Sequence, residues 1–419
     1  MTMQVRTLFT LTVTLAILGL AGCDRYNCAT AAQLGSSTCS TGSSTVSSSG
    51  GGGSGTNSGP LAFIEFAETS AVPNQMSGVE FTAADVLEPI PSFPSTTLPD
   101  STLDPSALAV AQGKFLYMAD GSAQKMFAYS IDANTGIISA LSGSPFAASY
   151  LAGLPMANVP LLSMVTNPTG TVLLIADQTN SLIYSFTIDA TTGALTAATG
   201  SPFPSLIKPS NLATDGLGRF LYVTQGDING QGQSMAVFSL DGTTGSLTDG
   251  AQMALNMWTV VGDPAGKFMF GADGEVGTKP PSNALDEHLY TFSINANTGV
   301  LTQVASTVTV NAPTAAIVHP TGSFVYVFGI DPSLNFDAPV EGFALNDTTG
   351  ALTALQGSPF SVFGTNPYDG QLDPTGAYLF VHSNDVFEVS ILNTTTGVPG
   401  QAFSPLQVPS NLPWVVIDP

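Results

Sequence analysis

The side chains able to carry acid–base or metal chemistry are few and mostly acidic: three histidines and eight lysines plus arginines stand against thirty aspartates and glutamates. His319 sits in His319-Pro320-Thr321-Gly322, a turn sequence, so hydrogen bonding within the turn accounts for it better than catalysis. His288 and His382 are far apart and make no ligand or triad spacing. Lys114, Arg219 and Lys267 each follow a glycine that opens an apolar run, where solvated turn charges are expected. The carboxylates are more suggestive. Asp120 and Asp177 end apolar runs, and Asp227, Asp273, Glu275, Asp331 and Asp337 lie in or beside three long loops, Gly226 to Ser234, Gly274 to His288 and Ile330 to Val340. Lys279 is the one cation there, and Leu285, Leu334 and Phe336 add apolar contact area. Long loops on a rigid scaffold are where recognition concentrates, so these residues predict an acidic rim suited to a cationic ligand, a Ca²⁺ ion or another envelope protein. Asp227-x-Asn229-Gly230 matches the opening of a calcium loop without its later ligands, so Ca²⁺ rests on charge alone. No other cofactor is expected, and the bland alternative is a decorated surface with no fixed ligand.

The elements that must position these residues repeat. A turn written Asp/Asn-x-x-Thr-Gly ends on Gly136, Gly193, Gly245, Gly299, Gly350 and Gly397, at a period of roughly fifty residues. A second marker, often Asp-Pro-x-Gly, ends on Gly113, Gly170, Gly218, Gly266, Gly322 and Gly376, and leads into strands such as Phe115-Leu116-Tyr117-Met118. Proline presets φ at the second turn position, glycine accepts positive φ, and the aromatic and β-branched runs that follow favour strand. Each unit reads as four strands, the last often leading to Gly-Ser-Pro-Phe, as at Gly143 to Phe146, Gly200 to Phe203 and Gly357 to Phe360.

Six complete units leave a fragment at each end. Trp414 to Pro419 reads as a first strand, and Leu61 to Phe66, Gly78 to Thr82 and Leu87 to Phe93 as the other three. The expected fold is all-β: a seven-bladed β-propeller of four-stranded antiparallel blades, closed by a mixed N- and C-terminal blade. Six blades remain the alternative if residues 61–105 form only a cap. Hydrophobic residues at 43% against 9% charged suit sheets buried on both faces. A net charge of −22 repels phosphate backbones, which excludes nucleic acid as an expected partner.

The first residues read as an address. Arg6 and the apolar stretch Leu8 to Leu20 precede Leu20-Ala21-Gly22-Cys23, which resembles a bacterial lipobox. Residues 1–22 are therefore expected to be a lipoprotein signal peptide, with Cys23 lipidated and the protein exported and held at a membrane of a bacterial envelope. An uncleaved anchor helix is the alternative, and Asp24 favours inner-membrane retention in some bacteria. Residues 23–59 read as a tether, Ser- and Gly-rich from Ser40, with Cys28 and Cys39 either paired or free. Residues 60–419 form the head, expected to be monomeric and without a cysteine for thiol catalysis.

These cadences, Asp-Pro-Thr-Gly, Phe-Leu-Tyr-Val, Tyr-Ser-Ile-Asp, Thr-Gly-x-Leu-Thr and Gly-Ser-Pro-Phe, resemble those of the bacterial seven-bladed propellers of the lactonase-like, 6-phosphogluconolactonase-like family. They span residues 61–419. The resemblance implies a lactone hydrolase with His, Arg and Glu side chains at the mouth of the central channel. The matching position in the first strand of each unit holds Ala107, Ser163, Asn211, Thr259, Ala315, Gly370 and Trp414, of which Ser163, Asn211, Thr259 and Trp414 are the candidate channel-mouth residues. That set offers no histidine and no charge, whereas lactone opening needs a base and an oxyanion donor. The primary expectation is therefore a lipid-anchored binding or scaffold propeller acting through the rim of blades three to five. A lactonase-type hydrolase opening a sugar lactone is the alternative.

Overall fold

A computed structural model describes residues 61–417 apart from 67–74, 82–86, 90–104, 121–124, 148–162, 179, 226–233, 256, 273–286, 311, 331–338, 363–366, 368, 384–385 and 408–413. The described elements are all strands. They form small antiparallel sheets of four strands, two of them with a short fifth, and the four are hydrogen-bonded in sequence order within each repeat. One sheet joins the two chain ends: Leu61–Phe66 pairs with Gln75–Phe81 on one side and with Trp414–Ile417 on the other, with Ile64 opposite Trp414. Leu87–Pro89 completes it, so this sheet has the composition expected from the end fragments. The inner strands of neighbouring sheets lie side by side, and Trp414–Ile417 touches both Asp369–Leu372 and Pro105–Ala111.

Burial follows position within each sheet. The second strand is covered on both faces, as in Val172–Asp177, where every residue is buried, because it lies between two neighbouring sheets. The outermost strand Leu195–Ala197 is largely exposed. Apolar clusters therefore sit between sheets: Tyr117 and Phe115 of the first repeat pack with Leu173 and Ile175 of the second.

The Thr-Gly turn locks one sheet to the next. Its Asp or Asn caps its own turn; the Asp189 carboxylate accepts the Thr191 and Thr192 amides at 2.9 and 2.8 Å. Such bonds hold the exposed Asp132, Asp189 and Asp241 carboxyls below the usual range. Gly193, at φ +68°, presents its carbonyl to the Tyr117 hydroxyl of the preceding repeat at 2.7 Å. Tyr222 makes the same bond to Gly299 at 2.8 Å, and Tyr326 to Gly397 at 2.6 Å. The second repeat has Leu174 at the tyrosine position, and Ser185 on the adjoining strand takes over with a 2.6 Å bond to Gly245.

The fourth repeat lacks either solution. Phe270 replaces the tyrosine, and Thr291, in the place of Ser185, turns its methyl toward Gly350 and leaves its Oγ1 buried without a hydrogen-bond partner. Phe270→Tyr is expected to raise stability by about 1 kcal/mol by supplying the missing bond to this turn. The denaturation midpoint of the variant checks it, and a lowered midpoint would refute it.

The Gly-Ser-Pro-Phe cadence also has a structural outcome. Each copy begins on a glycine at positive φ and contains a cis Ser–Pro bond, at Ser144-Pro145, Ser201-Pro202 and Ser358-Pro359. It folds the chain back so that its phenylalanine pairs with the third strand of its own sheet: Phe146 with Met126, Phe203 with Ile183, and Phe360 with Val340. In the third, fourth and sixth repeats the outer strand instead runs long, over Leu247–Met253, Leu301–Val308 and Pro399–Gln407.

Candidate active site at the channel mouth

The register of the inner strands defines one equivalent position per sheet. Asn211 lies opposite Thr224, Thr259 opposite Ala272, Ala315 opposite Phe328 and Ala107 opposite Ala119. These partners all stand at the same place in the second strand of their repeats. In the sixth repeat that place is His382, and its partner is Asp369. The expectation that Gly370 occupies the ring is therefore corrected by one residue, and with it the expectation of an uncharged ring. Gly370 faces the other side of its sheet, where a Cβ would lie 2.1 Å from the Phe328 ring and 2.8 Å from the Phe380 carbonyl oxygen.

The ring has two chemically distinct arcs. On one, Ser163 Oγ donates to Asn211 Oδ1 at 3.1 Å, and Asn211 Nδ2 donates to Thr259 Oγ1 at 3.0 Å, linking three adjacent sheets. Ser163 Oγ also accepts the Leu212 amide at 2.9 Å. The directions of these bonds leave the Thr259 hydroxyl proton and the second Asn211 Nδ2 proton as donors for a ligand. Three of the predicted channel-mouth residues are thus brought together; the fourth, Trp414, is placed by its backbone in the closing sheet.

On the other arc Asp369 Oδ1 lies 3.6 Å from His382 Nδ1. The imidazole is 6% exposed and the carboxylate 44%, so the acid is open to solvent while the histidine is buried. At this length the contact is electrostatic rather than a short hydrogen bond. A carboxylate beside an imidazole can deprotonate water, and the hydroxyl and amide donors of the first arc can hold a carbonyl oxygen.

The other candidates fall elsewhere. His319 is buried, with Nε2 3.0 Å from the Gly376 oxygen and Nδ1 2.8 Å from Thr321 Oγ1, as a turn residue should be. His288 stacks on Tyr290. Asp177 is not a rim residue: it is buried, and its carboxylate accepts the Asn180 amide at 2.9 Å and the Asn180 side chain at 2.8 Å, closing its own loop. Asp120 ends the strand Phe115–Asp120. Asp227, Asp273, Glu275, Asp331 and Asp337 lie outside the described residues, as does Cys23. Among the described residues no three His, Cys, Asp or Glu side chains group as a metal site.

The cations on the inner turns have local partners. Arg219 Nε pairs with the buried Asp215 at 2.9 Å, and Lys267 Nζ lies 3.6 Å from Asp347. Lys208, which composition alone did not single out, is exposed on the segment leading into Asn211–Thr214. The signal that could have found Asp369 is the four-residue offset from the turn, which relates Asp369 to Asp373 as it relates Ser163 to Asn167, Asn211 to Asp215 and Thr259 to Asp263.

Residues 67–206 match the family described as lactonase, 7-bladed beta-propeller. No curated protein matches the sequence. Among solved structures, a putative 6-phosphogluconolactonase from Bacteroides fragilis is 17% identical, with a TM-score of 0.56 over 86% of this chain and 99% of the other. The periplasmic gluconolactonase of Pseudomonas aeruginosa is 15% identical, with a TM-score of 0.58 over 85% and 99%. A protein from Lactobacillus plantarum is 17% identical, with a TM-score of 0.55 over 85% and 99%. At these identities the structures speak to fold alone, and the family match speaks to residues 67–206. The chain is thus similar to the lactonase propellers in sequence over residues 67–206, and over most of its length it shares the β-propeller fold of these structures.

Proposed function

We propose that the protein is a hydrolase that opens an aldonolactone at the mouth of a seven-bladed ring. The observation that carries this reading is the Asp369–His382 pair at the ring position, opposite the Ser163–Asn211–Thr259 arc. The family match supports the same reaction class and favours it over the binding module that loop lengths suggest. The seven described sheets, with inner strands adjacent all the way round, support the blade count.

In this mechanism Asp369 takes a proton from water as the water oxygen attacks the lactone carbonyl. His382 is a positioning residue that holds the carboxylate toward the channel. The Thr259 hydroxyl and Asn211 amide donate to the oxygen that gains charge. Collapse of the tetrahedral intermediate breaks the ring C–O bond, and the proton held by Asp369 passes to the leaving hydroxyl. An uncharged lactone suits the site better than a phosphosugar, since the net charge is −22 and Arg219 and Lys267 are engaged on turns at the other end of the inner strands. Purified protein should hydrolyse glucono-δ-lactone above the spontaneous rate and prefer it to the 6-phosphorylated form. Equal rates with and without protein would reject the reading.

The lipobox-like Leu20-Ala21-Gly22-Cys23 supports export and lipid attachment at Cys23, which would place the lactonase in the cell envelope. Detergent-phase partitioning of the protein from cells, lost in Cys23→Ser, tests this; unchanged partitioning would exclude it.

A further inference from the structure

A second site lies between the fifth and sixth sheets, on the face of the sixth sheet opposite His382. Alternation along the strands puts Leu379, Val381, Glu388 and Ser390 on this face and His382 on the other. Glu388 is 1% exposed and lines a cavity of about 320 Å³ together with Val340, Phe360, Leu379, Val381 and Ser390.

The neighbouring interface shows what such a carboxylate is met by when the gap is closed. Glu341 occupies the same register position in the fifth sheet, opposite Val327 as Glu388 is opposite Val381. There the outer strand Leu301–Val308 of the fourth sheet runs long, and the chain beyond it delivers the Val310 amide to Glu341 Oε1 at 2.9 Å. In the fifth sheet the outer strand stops at Ala354 and Gly-Ser-Pro-Phe folds Phe360 back onto Val340. The segment equivalent to the one that carries Val310 is thereby diverted, and a cavity lined in part by Glu388 remains. The other two diverted interfaces fill the space differently. Tyr184 occupies the position in the second sheet, in one apolar cluster with Phe146, and Ala236 in the third sheet clusters with Phe203 and Ile207.

We propose that this cavity binds a small organic ammonium ion, with its cationic nitrogen on Glu388 and its apolar body against Phe360, Val340, Leu379 and Val381. A mixed lining that pairs one buried carboxylate with the side chains of Phe360, Val340, Leu379 and Val381 matches a cation carrying a hydrophobic group, and a volume of this size admits an arylalkylamine. The site is separate from the channel mouth, so binding does not depend on lactone hydrolysis.

Calorimetric titration of the full-length protein with phenethylamine, and with 2-phenylethanol as its uncharged counterpart, tests the proposal. Saturable amine binding at least about tenfold tighter than the alcohol is expected. Glu388→Gln should weaken the amine about ten- to hundredfold and leave the alcohol unchanged. Ser390→Leu, which fills the cavity while keeping the carboxylate, should abolish both. Absence of saturable amine binding, equal affinity for amine and alcohol, wild-type affinity in a folded Glu388→Gln protein, or retained binding in Ser390→Leu would each overturn it. Should Glu388→Gln not fold, the amine–alcohol comparison and Ser390→Leu decide the matter.

Discussion

Replacing Asp369 by Asn is expected to lower kcat/KM for aldonolactone hydrolysis by about 10²–10⁴-fold, the range associated with loss of a general base. The fall should lie in kcat, because the amide keeps the size and the hydrogen bonding of the ground state while removing the proton acceptor. The side chain is 44% exposed, so the fold should tolerate the change. His382→Gln should act through Asp369: kcat falls by about tenfold with KM nearly kept, because the carboxylate loses the imidazole 3.6 Å away. A merely structural histidine would lower the melting temperature and leave kcat of the folded protein in place. Full activity in Asp369→Asn would remove the base assigned here.

Asp215→Ala should cost about 3 kcal/mol or more of stability, read as a lower denaturation midpoint. Asp215 is fully buried; one oxygen accepts the Arg219 and Phe220 amides at 2.6 and 2.9 Å, and the other pairs with Arg219 Nε at 2.9 Å. Alanine leaves two amides and a guanidinium without their acceptor. The second repeat shows how the same turn is built without charge. Asn167 Oδ1 accepts the Thr171 and Val172 amides at 2.8 and 2.9 Å, and its Nδ2 donates to Thr171 Oγ1 at 3.0 Å. Asp215→Asn alone should therefore destabilise, because its amide faces Arg219, and Asp215→Asn with Arg219→Thr should recover much of the loss. Additive losses in that double-mutant cycle would contradict the coupling.

The turns were legible because their chemistry is local. Asp189 or Asn393 capping the amides two and three residues on, and glycine at positive φ, involve contiguous residues, so the cadence fixes the strand ends without knowledge of neighbours. The role of His319 was legible for the same reason. The mixed sheet was legible as well, since Trp414 to Ile417 reads as a first strand and the strands between Leu61 and Pro89 as the three that accompany one elsewhere.

The functional reading depended only in part on non-local pairing. Ser163, Asn211 and Thr259 stand four residues before the turn residues Asn167, Asp215 and Asp263, and four before Asp373 stands Asp369 rather than Gly370, so this acid was legible from the turn. Its pairing with His382 shows why one residue matters, because successive residues of a strand face opposite ways. Asp177 read as a rim acid until its side chain was seen to close its own loop. The cavity at Glu388 follows from where an outer strand stops in one sheet relative to a carboxylate in the next. By itself the sequence determined the repeat, its turns and the joining of the two ends, all set by backbone preferences within a few residues. Only the tertiary structure decided which side chains share the channel mouth and which interface stays open, because both depend on hydrogen-bond register and on packing between sheets remote in the chain.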